Sequence, residues 1–465
     1  MTVEGLTITG GAAAKGGGVS GTGKATVRAC VIVGNRATQA GGGVSGVTAQ
    51  NCTFVGNAAP EGAAAANSTV RASIGATADQ TLSACGTPVD WFTAAEGDFT
   101  DFAHGDYSIP EANWARFRAT NGEYVRAAYR DELTDITGRP LVRRVAGDYV
   151  CLAGAYGIDF DDTLQRLVDF TEGDTVEVPD GSYQPFVVER DGLRLVHAGS
   201  PAACIIDGSG LWRGVNVTGA NVTIEGLAFR NCTAPTGGGV NGAAANLKLR
   251  NCTFEGCTAD MSGGAVYATG PGTVGTGCAF TGNAVTNLNS VGGAVYVADA
   301  LVAGCFFRGN SAVCAGALAA DEGVRTICCT FAGNTATGMA FADSASAAYA
   351  LADGLTLADC VLFNDTQTDF EPEGSTIDTK EDPFVASGSG DWRLRADLLD
   401  DAVDFGAAAA SRIAAVRDAG AVMPGGGQLI SNIVGEDVLF AGAYGLTVEN
   451  ELQDLIDNAS PGDEI

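Results

Sequence analysis

The sequence predicts an all-β fold: a parallel β-helix solenoid in tandem modules with short capping helices. Two repeats of different length and one alternation carry that expectation. The shorter repeat reads Cys-x-Phe-x-Gly-Asn, at Cys52–Asn57, Cys278–Asn283, Cys305–Asn310 and Cys329–Asn334. Glycine runs closed by a valine lie between, as in Gly41-Gly42-Gly43-Val44, Gly237-Gly238-Gly239-Val240 and Gly292-Gly293-Ala294-Val295. Phe254, Phe280, Phe307 and Phe331 are spaced by 26, 27 and 24 residues. A unit of this size cannot bury its own apolar face and must stack on copies of itself.

Within each unit apolar residues alternate, as in Val222-Thr223-Ile224-Glu225-Gly226-Leu227-Ala228-Phe229, with no sustained helical period. That pattern predicts short strands with one buried face, two or three per coil. Phe54, Phe229, Phe254, Phe280, Phe307 and Phe331 are then expected to point inward in stacks, each contributing about 1.5–3 kcal/mol. Asn57, Asn283, Asn310 and Asn334 are expected at a recurring turn, in left-handed backbone or bonded to one another up the axis. The fixed phase of the glycines with Phe, Asn and Val argues for close packing between coils rather than a flexible linker.

These residues resemble the repeats of right-handed parallel β-helix proteins of the pectin-lyase-like superfamily. The likeness is closest to the polymorphic outer-membrane-protein type, with its Gly-Gly-Ala-hydrophobic and Phe-x-x-Asn signatures, matched here by Gly292–Val295 and Phe280–Asn283. It covers about residues 1–84 and 173–385. Some coils depart from it: Cys232 and Cys257 occupy the Asn position, and Ile32 replaces the Phe. The resemblance implies a right-handed solenoid. It implies no single activity, since the fold hosts lyases, hydrolases, adhesins and stalks.

The longer repeat spans 288 residues, from Leu152-Ala153-Gly154-Ala155-Tyr156-Gly157 to Phe440-Ala441-Gly442-Ala443-Tyr444-Gly445. The match continues from Asp162-Thr163-Leu164-Gln165 to Asn450-Glu451-Leu452-Gln453. This divides the chain into the back part of a first β-helix module (1–97), a cap and joint (98–157), and a second module (158–385). A further cap and joint (386–445) and the start of a third module (446–465) follow. The chain thus reads as a window on a longer array. Leu164, Leu167, Val168 and Phe170 at helical spacing, after an N-cap at Asp161 or Asp162, predict an amphipathic helix over 158–172. It would cover the open end of the second solenoid, where bare strand edges invite aggregation.

No run of eighteen apolar residues occurs, so no transmembrane helix is expected. The net charge of −29 argues against nucleic acid and anionic membranes as partners. Of 14 cysteines, Cys30, Cys52, Cys252, Cys278, Cys305, Cys329 and Cys360 share the column two places before the Phe or its substitute. They read as a ladder of small inward residues. Cys232 and Cys257, in neighbouring coils, are the candidate disulfide pair. With two histidines and no Cys-x-x-Cys, no metal is expected.

Gly18–Ala25 imitates a phosphate loop but carries Ala25 where Ser or Thr is required. Glu225, Glu255, Asp260 and Asp321 stand at unlike phases of the repeat, not on one face as glycan-cleaving carboxylates would. The Asn-x-Thr triplets at Asn51, Asn216, Asn221, Asn231 and Asn251 follow from turn chemistry. Acidic residues gather in caps and joints, as at Asp159, Asp161, Asp162, Asp397, Asp400 and Asp401, where solvation is the expected role. No catalytic residue and no cofactor is expected. The expected function is a structural or adhesive rod, stalk or filament at a bacterial surface or secreted from it. Its expected partners are further copies of the module end to end, or a host or cell-surface glycan or protein. A carbohydrate-active or glycan-binding module is the alternative.

Overall fold

The computed structural model describes residues 1–145, 147–158, 161–338, 345–351, 354–365, 373–425, 428–433 and 436–445. The segment 446–465, read as the start of a third module, lies outside them. Two compact units divide the chain, 1–162 and 163–465. Each is a parallel β-solenoid with few short helices.

In the second unit, short strands stack in register into four parallel sheets. The eight-stranded sheet runs from Thr175–Glu177 to Thr356–Ala358, and the nine-stranded sheet from Gly181–Tyr183 to Ile377–Thr379. A seven-stranded sheet runs from Phe186–Val188 to Ala348–Ala350, and a five-stranded one from Thr233–Thr236 to Thr335–Ala336. In the first unit Thr2–Glu4, Val19–Arg28, Val44–Gln50 and Thr69–Ala76 pair in parallel. So do Thr7–Thr9, Val31–Val33 and Thr53–Val55. The imitation phosphate loop lies within strand Val19–Arg28, not at a strand-to-helix turn.

Left-handed corners recur in each coil, and two of them flank the Cys-x-Phe-x-Gly-Asn strand. One falls on the residue before the Cys column: φ is 45° at Asn51, 47° at Asn251, 50° at Cys328 and 53° at Asp359. The other falls on the Gly of the Gly-Asn pair, with φ of 64° at Gly282 and 61° at Gly309. The left-handed role expected of the Asn therefore belongs to its glycine, and the Asn turns inward instead. Between coils the backbones nearly touch. A Cβ on Gly293 would lie 2.1 Å from the carbonyl oxygen of Gly316 in the next coil, so only glycine fits.

Phe229, Phe254, Phe280, Phe307 and Phe331 are buried and pair in register along the nine-stranded sheet. Their rings stack at 5.0, 4.9, 4.8 and 4.8 Å within 8° of parallel, the spacing being that of the strands themselves. Phe54 is buried too, but its column neighbours are Ile32 and Gly75. Trp91 fills the space left by Gly75, its ring 5.9 Å from that of Phe54.

A helix covering Thr163–Phe170 places Leu164 and Val168 in the core of the second unit. Beyond the coils, each unit has a segment that returns along its solenoid. In the first unit it holds helix Gly122–Arg130, capped by Asn121, and the hairpin Val142–Val145 with Asp148–Cys151. In the second it holds helix Gly406–Ala419 and antiparallel strands Val403–Phe405, Ile430–Ile433 and Glu436–Phe440. Among the described residues no helix is long and apolar enough to cross a membrane.

Candidate functional site

Three constructions stand out from the repeat: a polar ladder in the core, a column of thiols, and a seat on the flank of each solenoid. In the ladder, the backbone N–H and the side-chain Nδ2 of Asn283 both donate to Asn310 Oδ1, each at 2.9 Å. Asn310 repeats this towards Asn334 at 3.0 and 2.9 Å. Each Nδ2 also donates back to a Phe carbonyl, Asn283 to Phe254 and Asn310 to Phe280. The column ends at Asp365, which accepts from the N–H of Asn334 at 3.0 Å and from Ser346 Oγ at 2.9 Å. Burial pushes the Asp365 carboxyl up to about 6. In the first unit Asn35, Asn57 and Gln80 form the same chain. All of these side chains are buried, so the ladder is a structural element closed to ligands.

All fourteen cysteines are unbridged. The candidate pair Cys232–Cys257 is a correction: both thiols are free, Cys232 Sγ donates to the Arg230 carbonyl at 3.2 Å, and the neighbouring Cys257 thiol together with burial holds Cys232 well above the ordinary thiol range. In-register coils keep Cβ vectors parallel at about the 4.8 Å strand spacing, beyond the roughly 3.8 Å a disulfide prefers. The thiols also reach back to the preceding coil, Cys257 to the Phe229 carbonyl at 3.6 Å and Cys252 to that of Ile224 at 3.5 Å. Burial raises Cys252 and Cys329 well above the ordinary thiol range, so these two thiols are unreactive.

The flank seats hold the recurring Ala-Gly-Ala-Tyr-Gly segment in the same way twice. In the first unit the N–H of Ala155 donates to Thr53 Oγ1 at 2.9 Å and that of Gly154 to the Ala72 carbonyl at 2.9 Å. In the second, Ala443 donates to Thr330 Oγ1 at 2.9 Å and Gly442 to the Asp359 carbonyl at 2.9 Å. Gly154 and Gly442 have φ of 97° and 80°. Asn51, one of the Asn-x-Thr residues, is buried and donates to the Leu152 carbonyl at 3.0 Å while Tyr124 donates to its Oδ1. A sugar could not be attached there.

Acidic residues do more in these segments than face water. Asp162 is buried against Arg143, and Arg412 is buried between Asp359 and Asp404. At the start of the second solenoid, Gln165 of the capping helix pairs with the edge strand Phe186–Val188. Its Oε1 accepts from the N–H of Val187 at 2.8 Å, and its Nε2 donates to the Val187 carbonyl at 3.1 Å. The side-chain amide stands in for the peptide of an absent strand.

Of the carboxylates singled out in the coils, Glu255 pairs with Arg230 at 3.2 Å and Asp321 accepts from Tyr296 Oη at 3.3 Å. The Glu255–Arg230 pair lines a groove of about 450 Å³ with Asn251, Thr253, Thr281 and Tyr444. Among the described residues no cluster of three metal-binding side chains occurs. No protein-family profile matches the chain, and no curated protein sequence matches it.

Proposed function

We propose that the chain is a non-enzymatic structural or adhesive protein, a stretch of a tandem β-helix array forming a rod, stalk or filament. Its place would be a bacterial surface or the medium around it, and its main partners further copies of the module, end to end. The repeated seat carries this reading: two segments 288 residues apart close onto Thr53 and Thr330 through matching hydrogen bonds. A module whose end is fastened in one way each time can be added indefinitely. The right-handed, pectin-lyase-like form rests on the Phe-x-x-Asn and Gly-Gly-Ala residues. The test is scattering or electron microscopy on chains carrying one, two and three modules. The longest dimension should grow by at least about 40 Å per module, nine coils at about 4.8 Å each. A compact particle of constant length would overturn the proposal.

The groove beside Arg230 and Glu255 supports a second reading, a glycan-binding module. Retention of a labelled glycan that is lost on Arg230→Ala would favour it.

A further inference from the structure

The two flank seats differ at one corner. Where the first unit has Ala72, buried among Val125, Tyr129 and Leu141, the second has Asp359, also buried. Asp359 Oδ1 accepts from the N–H of Ser375 at 2.9 Å, and its Oδ2 accepts from Arg412 Nε at 2.9 Å. The Nη2 of Arg412 donates to Asp404 Oδ2. Arg412 belongs to helix Gly406–Ala419, whose Ala409, Ile413 and Val416 pack with Ala303, Ile327 and Cys328 of the coils. Gly374 lies against both acids: a Cβ there would be 2.1 Å from Asp359 Oδ1 and 3.0 Å from Asp404 Oδ2.

Two buried carboxylates thus face each other and share one buried guanidinium. Glu373, 3.9 Å from Arg412, is largely exposed, and Cys328 is neutral, its thiol raised by burial and by the Asp359 charge. With Asp359 and Asp404 both ionised, the buried cluster carries one uncompensated negative charge. One shared proton makes it neutral and lets one carboxyl hydrogen-bond the other.

We propose that this cluster is a proton-operated latch: a proton held on Asp359, where it faces Asp404 and Arg412, fastens the returning helix Gly406–Ala419 to the coils, and its loss loosens that segment. The apolar seat of the first unit has no such dependence. Burial, more than the Asp404 charge, raises Asp359 to about 6, with the Ser375 N–H and Arg412 acting against the rise. A folded value above the unfolded carboxylate value of about 3.9 means stabilisation that is full in acid and lost as pH rises through about 6. An ordinary ion pair would behave in the opposite way.

Hydrogen exchange of the whole chain at about pH 5 and about pH 7.5, corrected for intrinsic rates, tests the latch. Amides of Gly406–Ala419 should be up to about tenfold more protected at the lower pH, and those of Gly122–Arg130 unchanged. A proton bound only in the fastened state changes that equilibrium by up to about tenfold for each step of one in pH. Asp359→Asn should keep the segment fastened at both values and abolish the difference. Should that variant not fold, Asp404→Asn serves the same purpose. Infrared spectra near pH 6 should show a protonated-carboxyl band that the variant weakens. Equal protection at both pH values, stronger protection at the higher one, the same response in both halves of the chain, or an unchanged response in the variant would each overturn the proposal.

Discussion

Asn310 is the rung at which the core ladder can be broken most informatively. Its Oδ1 accepts the N–H and the Nδ2 of Asn283, and its own Nδ2 donates to the Phe280 carbonyl and to Asn334 Oδ1. Asn310→Ala leaves the Asn283 N–H without its acceptor, at full burial, which costs about 1–3 kcal/mol. The Asn283 amide and the Phe280 carbonyl each lose one of their bonds, adding about 0.5–1.5 kcal/mol apiece. The expected total is about 2–6 kcal/mol, felt locally because each coil contacts only its neighbours. Asn310→Asp is the sharper probe. It keeps the acceptor for Asn283 but sets carboxylate oxygens against Phe280 O and Asn334 Oδ1. A buried Asp in that place is held protonated, so the damage should grow as pH rises. Hydrogen exchange over residues 279–312 reads both variants. Unchanged protection in the alanine variant, or an aspartate variant as well protected at neutral pH as the parent chain, would refute the ladder as a source of stability.

Two further substitutions test other parts of the design. Phe307→Ala removes a buried ring stacked at 4.8 Å on Phe280 and on Phe331, and should cost about 3–5 kcal/mol by chemical denaturation of the second unit. Gln165→Leu keeps the volume of the capping helix but strips the N–H and carbonyl of Val187 of their partners. Faster exchange of Val187, with that of residues 300–330 unchanged, is the expected result.

Periodicity made the coils and the phenylalanine column legible, because in-register stacking turns a fixed sequence spacing into a line of contacts. Phe54 shows the limit of that inference: the same motif there meets Ile32 and Gly75, and a tryptophan from outside the repeat completes the packing. The Asn column was legible as a ladder, whereas its left-handed corner belongs to the preceding glycine, which satisfies the same turn at less steric cost. The disulfide expectation failed on a matter of direction, since stacked coils hold neighbouring Cβ vectors parallel. Arg412 and Asp359 lie 53 residues apart, in a helix and a coil with no shared period, so no sequence pattern joins them. Gln165 falls outside the apolar stripe of its helix, which gives no hint of its pairing with Val187. Its recurrence as Gln453 in the longer repeat was the available signal.

The polarity of the ladder explains which residues stand at its ends. Every inner rung must accept from the coil before it and donate to the coil after it, and the asparagine side chain does both. The last rung is followed by no further asparagine of the ladder. In the second unit that place is taken by Asp365, an acceptor that receives the N–H and Nδ2 of Asn334. In the first it is taken by Gln80, whose Oε1 receives both donors of Asn57 while its Nε2 returns to the Asn57 carbonyl at 3.2 Å. At the opposite end only a backbone N–H need be satisfied. Cys257 offers its N–H to Asn283 Oδ1 at 2.9 Å, and a small buried thiol suffices for the rest of the site. The residues that break the Gly-Asn signature are thus those its directionality requires. In a quasi-one-dimensional stack, fraying begins at such terminal rungs, so their chemistry bears directly on how long the stack of coils stays intact.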